Sequence, residues 1–496
     1  MSPPASVVAV AAAAVVAAAL LGAANAVENG DESVFDDAIH AHDPRAVLNE
    51  GACLHMLCDG DDAHANAHAN AAMAQPGSNR SASFASSSFI KRQGKHLVEE
   101  GSGQPFHIAG TNSYYLLEHA SESEPWLKRS IVDETYAHAN ALGLNVVRTW
   151  AFYDGEGKFQ MRPGVYNETF FDALDWVIAR AEAHGLRLIL SLTNFWDAYG
   201  GMQEYVRWAA EANGTSDGSL DGLDIRDFYR SEAMRQMYKD NFVALANRTN
   251  AYTGRRYKDD PTILAWELAN EPRCPGDESG DVLQSWIQEM SRFVKDVAPK
   301  QLVTTGSEGF FGMSTPQLMH LNGNATFDFI EYLPMLCTGV DFVRNHDNTT
   351  AIDIPSFHLY PDHHAEELCH RGAPASDCAM QWTHAQTKVR VDLADDVLGK
   401  PLFIGEFGKM KHPLMEGTLD AQVVYRNRLF VEVYRQLEEA AIEGKASGGS
   451  TFWMLSAPAY KDYGESRFAV SSPRRTRTFQ EKSVPRLDRT DGRATS

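Results

Sequence analysis

Positive charge is scarce in this chain, and that excludes partners before any motif is read. Its 45 Lys and Arg face 66 Asp and Glu, a formal charge of -21. Such a surface repels nucleic acid and anionic membranes. Long apolar runs are also lacking. Beyond residue 22 no stretch approaches the roughly 20 apolar residues that cross a bilayer. Cysteines number only six, and no His/Cys spacing matches a zinc site. No Gly-rich phosphate loop follows the first predicted strand, where Gly110-Thr-Asn-Ser stands instead. An open nucleotide-binding sheet therefore loses its main support. Hydrophobic residues, at 44% against 22% charged, are abundant enough for a large core and argue against global disorder. The acidic balance suits an uncharged polymer, such as a neutral polysaccharide, without singling one out.

The ends differ from the middle. Val7–Gly22 is an Ala-rich apolar run followed by Ala24-Asn25-Ala26, the pattern of a secretory leader spanning residues 1–26. Its start has no Lys or Arg, so a disordered Ala-rich segment or a transit peptide is the alternative. The leader implies export, to the cell-wall space or beyond, and leaves no membrane span once removed. Asn-X-Ser/Thr triplets begin at Asn79, Asn167, Asn213, Asn247, Asn324 and Asn348. Each arises easily by chance, but beside a leader they support the secretory route. The cysteines, Cys53, Cys58, Cys274, Cys337, Cys369 and Cys378, could then form three disulfides. Cys369 with Cys378 would close a Pro- and Gly-containing loop, and Cys274 with Cys337 would join two barrel loops; buried free thiols are the alternative. Residues 27–88 read as a low-complexity, disordered linker with a His64-Ala-Asn-Ala-His68 repeat, better explained by solvation than by metal binding. Residues 471–496 carry seven Lys/Arg against three Asp/Glu and read as a disordered basic tail.

Between them, residues 89–470 alternate short apolar runs with amphipathic stretches. The runs predict strands at Phe106–Asn112, Asn145–Trp150, Leu186–Leu192, Thr262–Leu268, Leu302–Gly306, Ile352–His358, Leu402–Glu406 and Ser450–Trp453. Helical spacing predicts helices at Lys128–Leu142, Glu168–His184, Ser231–Tyr252, Asp281–Val297, Ala379–Leu398 and Asp420–Glu443, with Gly143 and Gly185 as stop signals. Eight strands with intervening helices predict a (β/α)8 TIM barrel. Phe89–Pro105 reads as a β-hairpin that could plug the barrel bottom. After the eighth strand no covering helix is evident, which would leave one side of the core exposed.

Two segments carry the chemistry: Ile263-Leu-Ala-Trp-Glu-Leu-Ala-Asn270-Glu271-Pro272 and Pro401-Leu-Phe-Ile-Gly-Glu406-Phe-Gly. An ionised carboxylate closing an apolar strand is expensive unless it has a task. The C-terminal strand ends form the active face of a barrel, and strands four and seven lie across its mouth. Two facing carboxylates suit glycoside hydrolysis, one protonating the leaving oxygen and the other attacking the anomeric carbon or activating water. Singly, each Glu could equally cap a helix or pair with an Arg. Asn112, Arg148, Trp150, Asn194, His358, Tyr360 and Trp453 fall at or just past other strand ends.

Together, Arg148-Thr-Trp-Ala-Phe, Trp266-Glu-Leu-Ala-Asn-Glu-Pro-Arg-Cys274, Gly306-Ser-Glu-Gly-Phe-Phe311, His358-Leu-Tyr-Pro-Asp362, Gly405-Glu-Phe-Gly408 and Phe452-Trp453 resemble the eukaryotic endo-β-1,4-mannanases of glycoside hydrolase family 5. The resemblance runs from about Phe89 to Val470. It implies Glu271 as general acid/base, Glu406 as nucleophile and Asn270 as a partner of the sugar 2-OH. It also implies Arg148 and Tyr360 as the groups that keep Glu406 charged, His358 as orienter of the acid/base side and Trp453 as the sugar platform. Trp150, Arg273 and Glu308 are candidates for neighbouring subsites. Tyr114, Tyr115, Trp196 and Tyr199 could line the cleft or simply pack. The implied partner is a β-1,4-mannan, cut by a monomer without metal or organic cofactor, since side chains supply both proton transfer and covalent capture. Retention needs carboxyl groups about 5–5.5 Å apart, inversion about 6.5–9.5 Å. The competing readings are an endo-β-1,4-glucanase, a mannan transglycosylase and a non-catalytic glycan-binding barrel.

Overall fold

The computed structural model describes residues 88–214, 220, 222–322, 338–361, 375–409, 419–457 and 470–471. The leader, the linker, Asn79, Asn324, Cys53, Cys58, Cys337, Cys369 and the tail beyond Ser471 lie outside them. A small antiparallel sheet comes first: β1 (Ile90–Gln93), β2 (His96–Glu99) and β3 (Pro105–Phe106). Phe106 thus belongs to this sheet and not to the first barrel strand. Eight parallel strands follow: β4 (Ile108–Asn112), β5 (Val146–Trp150), β8 (Arg187–Ser191), β9 (Ile263–Glu267), β10 (Leu302–Thr304), β11 (Ser356–Leu359), β12 (Leu402–Phe407) and β13 (Ser447–Phe452). Between β5 and β8 stands a short antiparallel pair, β6 (Gln160–Arg162) and β7 (Val165–Tyr166).

Each barrel strand pairs with its successor from β4 to β10 and from β11 to β13, and β13 pairs back to β4. The last gap is bridged by Thr304 and Ile354, whose side chain and carbonyl share a 2.9 Å hydrogen bond. The ring is therefore closed, as eight predicted strands required. Every residue of these strands is buried, which explains their near-continuous apolar runs.

The helices form where the 3.6-residue pattern is strongest. Asp281–Val297 matches its predicted span, and Arg129–Ala141 and Glu168–Ala183 stop before Gly143 and Gly185. Asn167 caps the second of these, accepting from the Thr169 amide at 3.0 Å. The predicted Ser231–Tyr252 helix ends at Asn247, because Asn250 turns the chain by accepting from the amides of Tyr252 and Thr253. The helices Gly201–Ala212 and Ile225–Arg230 were not predicted, nor were the short Leu116–Ser121 and Phe342–His346. The first buries Met202, Tyr205, Val206, Trp208 and Ala209, but it begins directly at paired glycines that read as loop.

The two barrel ends are finished differently. At the N-terminal end Ile90 and Leu97 pack against Ile108, Val146, Ile189, Leu264, Leu302, Ile354 and Phe403. The hairpin is thus a plug, and each such side chain contributes about 1.5–3 kcal/mol by leaving water. Beyond β13 come β14 (Leu455–Ser456) and β15 (Val470–Ser471); no helix follows β13 among the described residues. Met454, Leu455 and Ala457 are nonetheless buried, and Ser113 and Tyr115 donate to the Leu455 carbonyl. The expected exposed flank does not occur at these residues. Cys274 is a buried free thiol, so the Cys274–Cys337 bridge is not formed. Its sulfur lies among apolar neighbours, and burial pushes the thiol up to about 12. Cys378 is disulfide-bonded, to a cysteine outside the described residues.

Candidate active site

The polar network at the C-terminal end is organised by one buried cation. Arg148, on β5, has no exposed side-chain surface and uses all five of its N–H donors. Nε and Nη2 grip Glu267 at 2.8 and 2.6 Å. Nη1 donates to Asn112 at 2.9 Å and to Glu406 at 2.6 Å. Nη2 also reaches Asn270 at 2.7 Å. A guanidinium so enclosed stays charged, and the neighbouring carboxylates hold its pKa above the usual arginine value against burial. Its plane also lies 5.0 Å from the Trp150 ring.

Glu406 sits within β12, and both its oxygens are taken. Oε1 accepts from Arg148, and Oε2 accepts from the Tyr360 hydroxyl at 2.6 Å. Burial raises its pKa, while His358 and Arg148 pull it back. Tyr360 keeps its proton, because burial and the facing Glu406 both raise its pKa. Glu406 is therefore fixed as an acceptor.

Glu271 lies four residues past β9 with a positive φ of 49°, a strained conformation for a residue with a Cβ. Its amide donates to the Gly306 carbonyl at 2.8 Å. Its oxygens face His358 Nδ1 and Trp196 Nε1, each at 2.7 Å. Its side chain is 12% exposed against 5% for Glu406, so it is the more exposed of the two. Burial raises its pKa, opposed by the Arg273 charge and the Trp196 hydrogen bond. His358 is shifted the other way, towards the neutral ring, by burial.

Glu271, His358 and Glu406 present atoms that all lie within 4.8 Å of one another. This is the one trio among the described residues placed to share a cation. Three of its four carboxylate oxygens, however, already accept from Arg148, Tyr360 and Trp196, and the fourth faces His358. Asn270 is held by Arg148 and donates to Asn194 at 3.0 Å. Trp453, just past β13, stacks on Tyr114 with ring centroids 5.5 Å apart and planes 7° apart, and Trp150 borders it at 6.2 Å. Arg273 and Glu308 pair through two bonds of 2.6 and 2.5 Å. Burial pushes Glu308 up to about 7, with Arg273 opposing.

The structure therefore gathers Glu271, Glu406, Arg148, Asn270, His358 and Tyr360 into one polar cluster. Arg148, Tyr360 and Asn270 are hydrogen-bonded around Glu406, and the Glu271–His358 pair lies beside them with His358 3.7 Å from Glu406. Tyr115 is fully buried, its hydroxyl bonded to Thr135 and the Leu455 carbonyl and to none of these residues among the contacts described. Glu267 was not singled out from the sequence. Its signal was present: an acid inside a fully buried strand must have a cation partner, and Arg148 stands in a strand interior nearby. Trp196, left open between lining and packing, is bonded to Glu271.

Comparison with known proteins agrees with this arrangement. The GH family 5 beta-mannosidase-like model matches residues 87–335. The chain is 40% identical over 394 residues to mannan endo-1,4-beta-mannosidase 2 of Oryza sativa subsp. japonica, covering 79% of this chain and 82% of that one. It is 37% identical over 372 residues to mannan endo-1,4-beta-mannosidase 7 of Arabidopsis thaliana, covering 75% and 78%. Among solved structures, an endo-1,4-beta-D-mannanase from Thermotoga petrophila RKU-1 superposes with a TM-score of 0.57 at 29% identity, over 74% of this chain and 95% of that one. An endo-1,4-beta-mannanase from Rhizomucor miehei gives 0.56 at 28%, over 77% and 94%. A closed ring of eight strands, two convergent carboxylates and this degree of likeness along most of the chain place it in glycoside hydrolase family 5, among the β-mannosidase-like members.

Proposed function

We propose that this protein is an endo-β-1,4-mannanase that cleaves internal bonds of mannan, glucomannan or galactomannan by double displacement with retention. The observation that carries this is the spacing and unequal company of two carboxylates. Oxygens of Glu271 and Glu406 come within 4.8 Å, in keeping with the close pair of a retaining site and short of the gap that inversion needs to seat a water. Glu406, gripped by Arg148 and Tyr360, is the nucleophile. Glu271, more open and raised by burial, is the acid that protonates the leaving oxygen and then the base that activates water. Asn270, fixed by Arg148 and Asn194, is placed to meet the sugar 2-OH, and Trp453 on Tyr114 supplies an apolar floor.

The test is sugar release from mannan, glucomannan and soluble cellulose, with the product anomer followed by NMR. Release from mannan with the β-anomer formed first is expected. Preference for cellulose, or an α-product, would overturn the reading. Product lengths at high oligosaccharide concentration separate transfer from hydrolysis.

The same reading has the protein exported to the cell-wall space. Asn213, Asn247 and Asn348 are exposed acceptor sites, whereas Asn167 is engaged as a helix cap. Secreted protein whose mass falls on enzymatic deglycosylation is the expected outcome; unmodified protein retained in the cell counts against it.

A further inference from the structure

Arg390 is a buried charge that the proposed chemistry does not use. It lies on the helix Ala375–Leu393, is 3% exposed, and sits 4.3, 5.6 and 4.8 Å from the rings of Phe311, Phe342 and Phe357. Burial shifts it down to about 9, and no acid among the described residues opposes this. An apolar side chain would be cheaper there, so the guanidinium has another task. Its Nε and Nη2 donate to one acceptor, the Gly309 carbonyl, at 3.1 and 2.6 Å, and Nη1 ties back to Gln386. Gly309 has a φ of +70°, and a Cβ there would meet the Phe357 Cβ at 2.5 Å, so this turn accepts one residue type and one pose.

Gly309 follows Glu308, which clamps Arg273. Arg273 lies 5.1 Å from the Trp196 ring, and Trp196 donates to Glu271. The same loop accepts from the Glu271 amide through Gly306. We propose that Arg390 is a positioning residue for the acid/base: it locks the Gly306–Phe311 loop, and through Glu308, Arg273 and Trp196 fixes the direction of Glu271. This rests on the role given to Glu271 above.

The experiment uses full-length Arg390→Met, Arg390→Lys and Glu308→Gln, with kcat/KM measured on mannan and on an aryl β-mannotrioside bearing a good leaving group. Wild type is run alongside. Arg390→Met is expected to lose about tenfold on mannan and under about threefold on the aryl substrate, since only the first needs acid help. Its alkaline limb should move up, because loosening Arg273 and Trp196 removes what lowers the pKa of Glu271. Arg390→Lys should recover part of the loss. Even if Arg390→Met does not fold, Glu308→Gln should show the same split between the two substrates. Its alkaline limb should move down instead, since it removes the acid that repels Glu271 and leaves the Arg273 charge unshared. Equal losses on both substrates, or a fall in Tm with an unmoved pH limb, would overturn the proposal. A wild type inactive on every glycan would overturn the mannanase reading and this one with it.

Discussion

The two ends of the barrel are made from the same eight strands and obey opposite rules. At the N-terminal end Ile90 and Leu97 meet the first residues of the strands in an apolar cluster. A few residues along, Arg148, Glu267, Glu406 and Asn112 form a buried charged network. The first arrangement is cheap and insensitive to chemistry. The second is expensive, because two carboxylates share one guanidinium out of water, and it repays that cost only by holding atoms in place. Stability and activity should therefore separate along the strand axis.

The largest effect should follow removal of the proposed nucleophile. Glu406→Ala is expected to lower kcat on mannan by at least about 10^3-fold while oligosaccharide binding, measured calorimetrically, changes little. Binding lost in proportion to rate would erase the distinction between attack and platform. Glu267→Ala comes next and crosses the divide, since Glu267 grips Arg148 and has no exposed side-chain surface. Leaving the guanidinium short of its bidentate partner should cost about 3–5 kcal/mol in urea unfolding and also reduce kcat. Unchanged stability would show that the network is less buried than its geometry indicates. Leu97→Ala probes the other end. It should cost about 2–5 kcal/mol with kcat intact below the lowered Tm; a matching loss of kcat would couple the ends.

How far the sequence carried these conclusions depended on whether a residue's purpose was local. Strands with continuous apolar runs, such as Leu402–Glu406, were legible because burial on both faces leaves no other composition. The convergence of Glu271 and Glu406 was legible because an acid closing such a run demands a reason, and the resemblance to known mannanases named their neighbours. Glu267 and the Trp196–Glu271 bond were not, because their meaning lies in a contact with a strand or loop 75 or more residues away in sequence. Gly201–Ala212 was hidden by its own glycines. Ile354 fell inside the predicted strand Ile352–His358; that it would pair singly with Thr304, just outside β11, could not be read.

The smallest effect expected is also the most specific to the charged end. Glu308 is raised by burial from 4.5 to about 7. As pH rises from about 4.5, the unfolded chain releases this proton first, while the folded chain still holds it. The unfolded state then binds fewer protons, so stability declines until Glu308 ionises in the folded state near pH 7, and levels off above that. Glu308→Gln cannot ionise and should flatten this part of the profile. The difference in Tm between pH 4.5 and 7 should shrink by about 2–4 °C, measured by calorimetry on both proteins. The Leu97→Ala variant, altered only at the apolar end, should keep the wild-type slope. An equal change of slope in both variants would mean that the titration belongs to the whole fold and not to the acid beside Glu271.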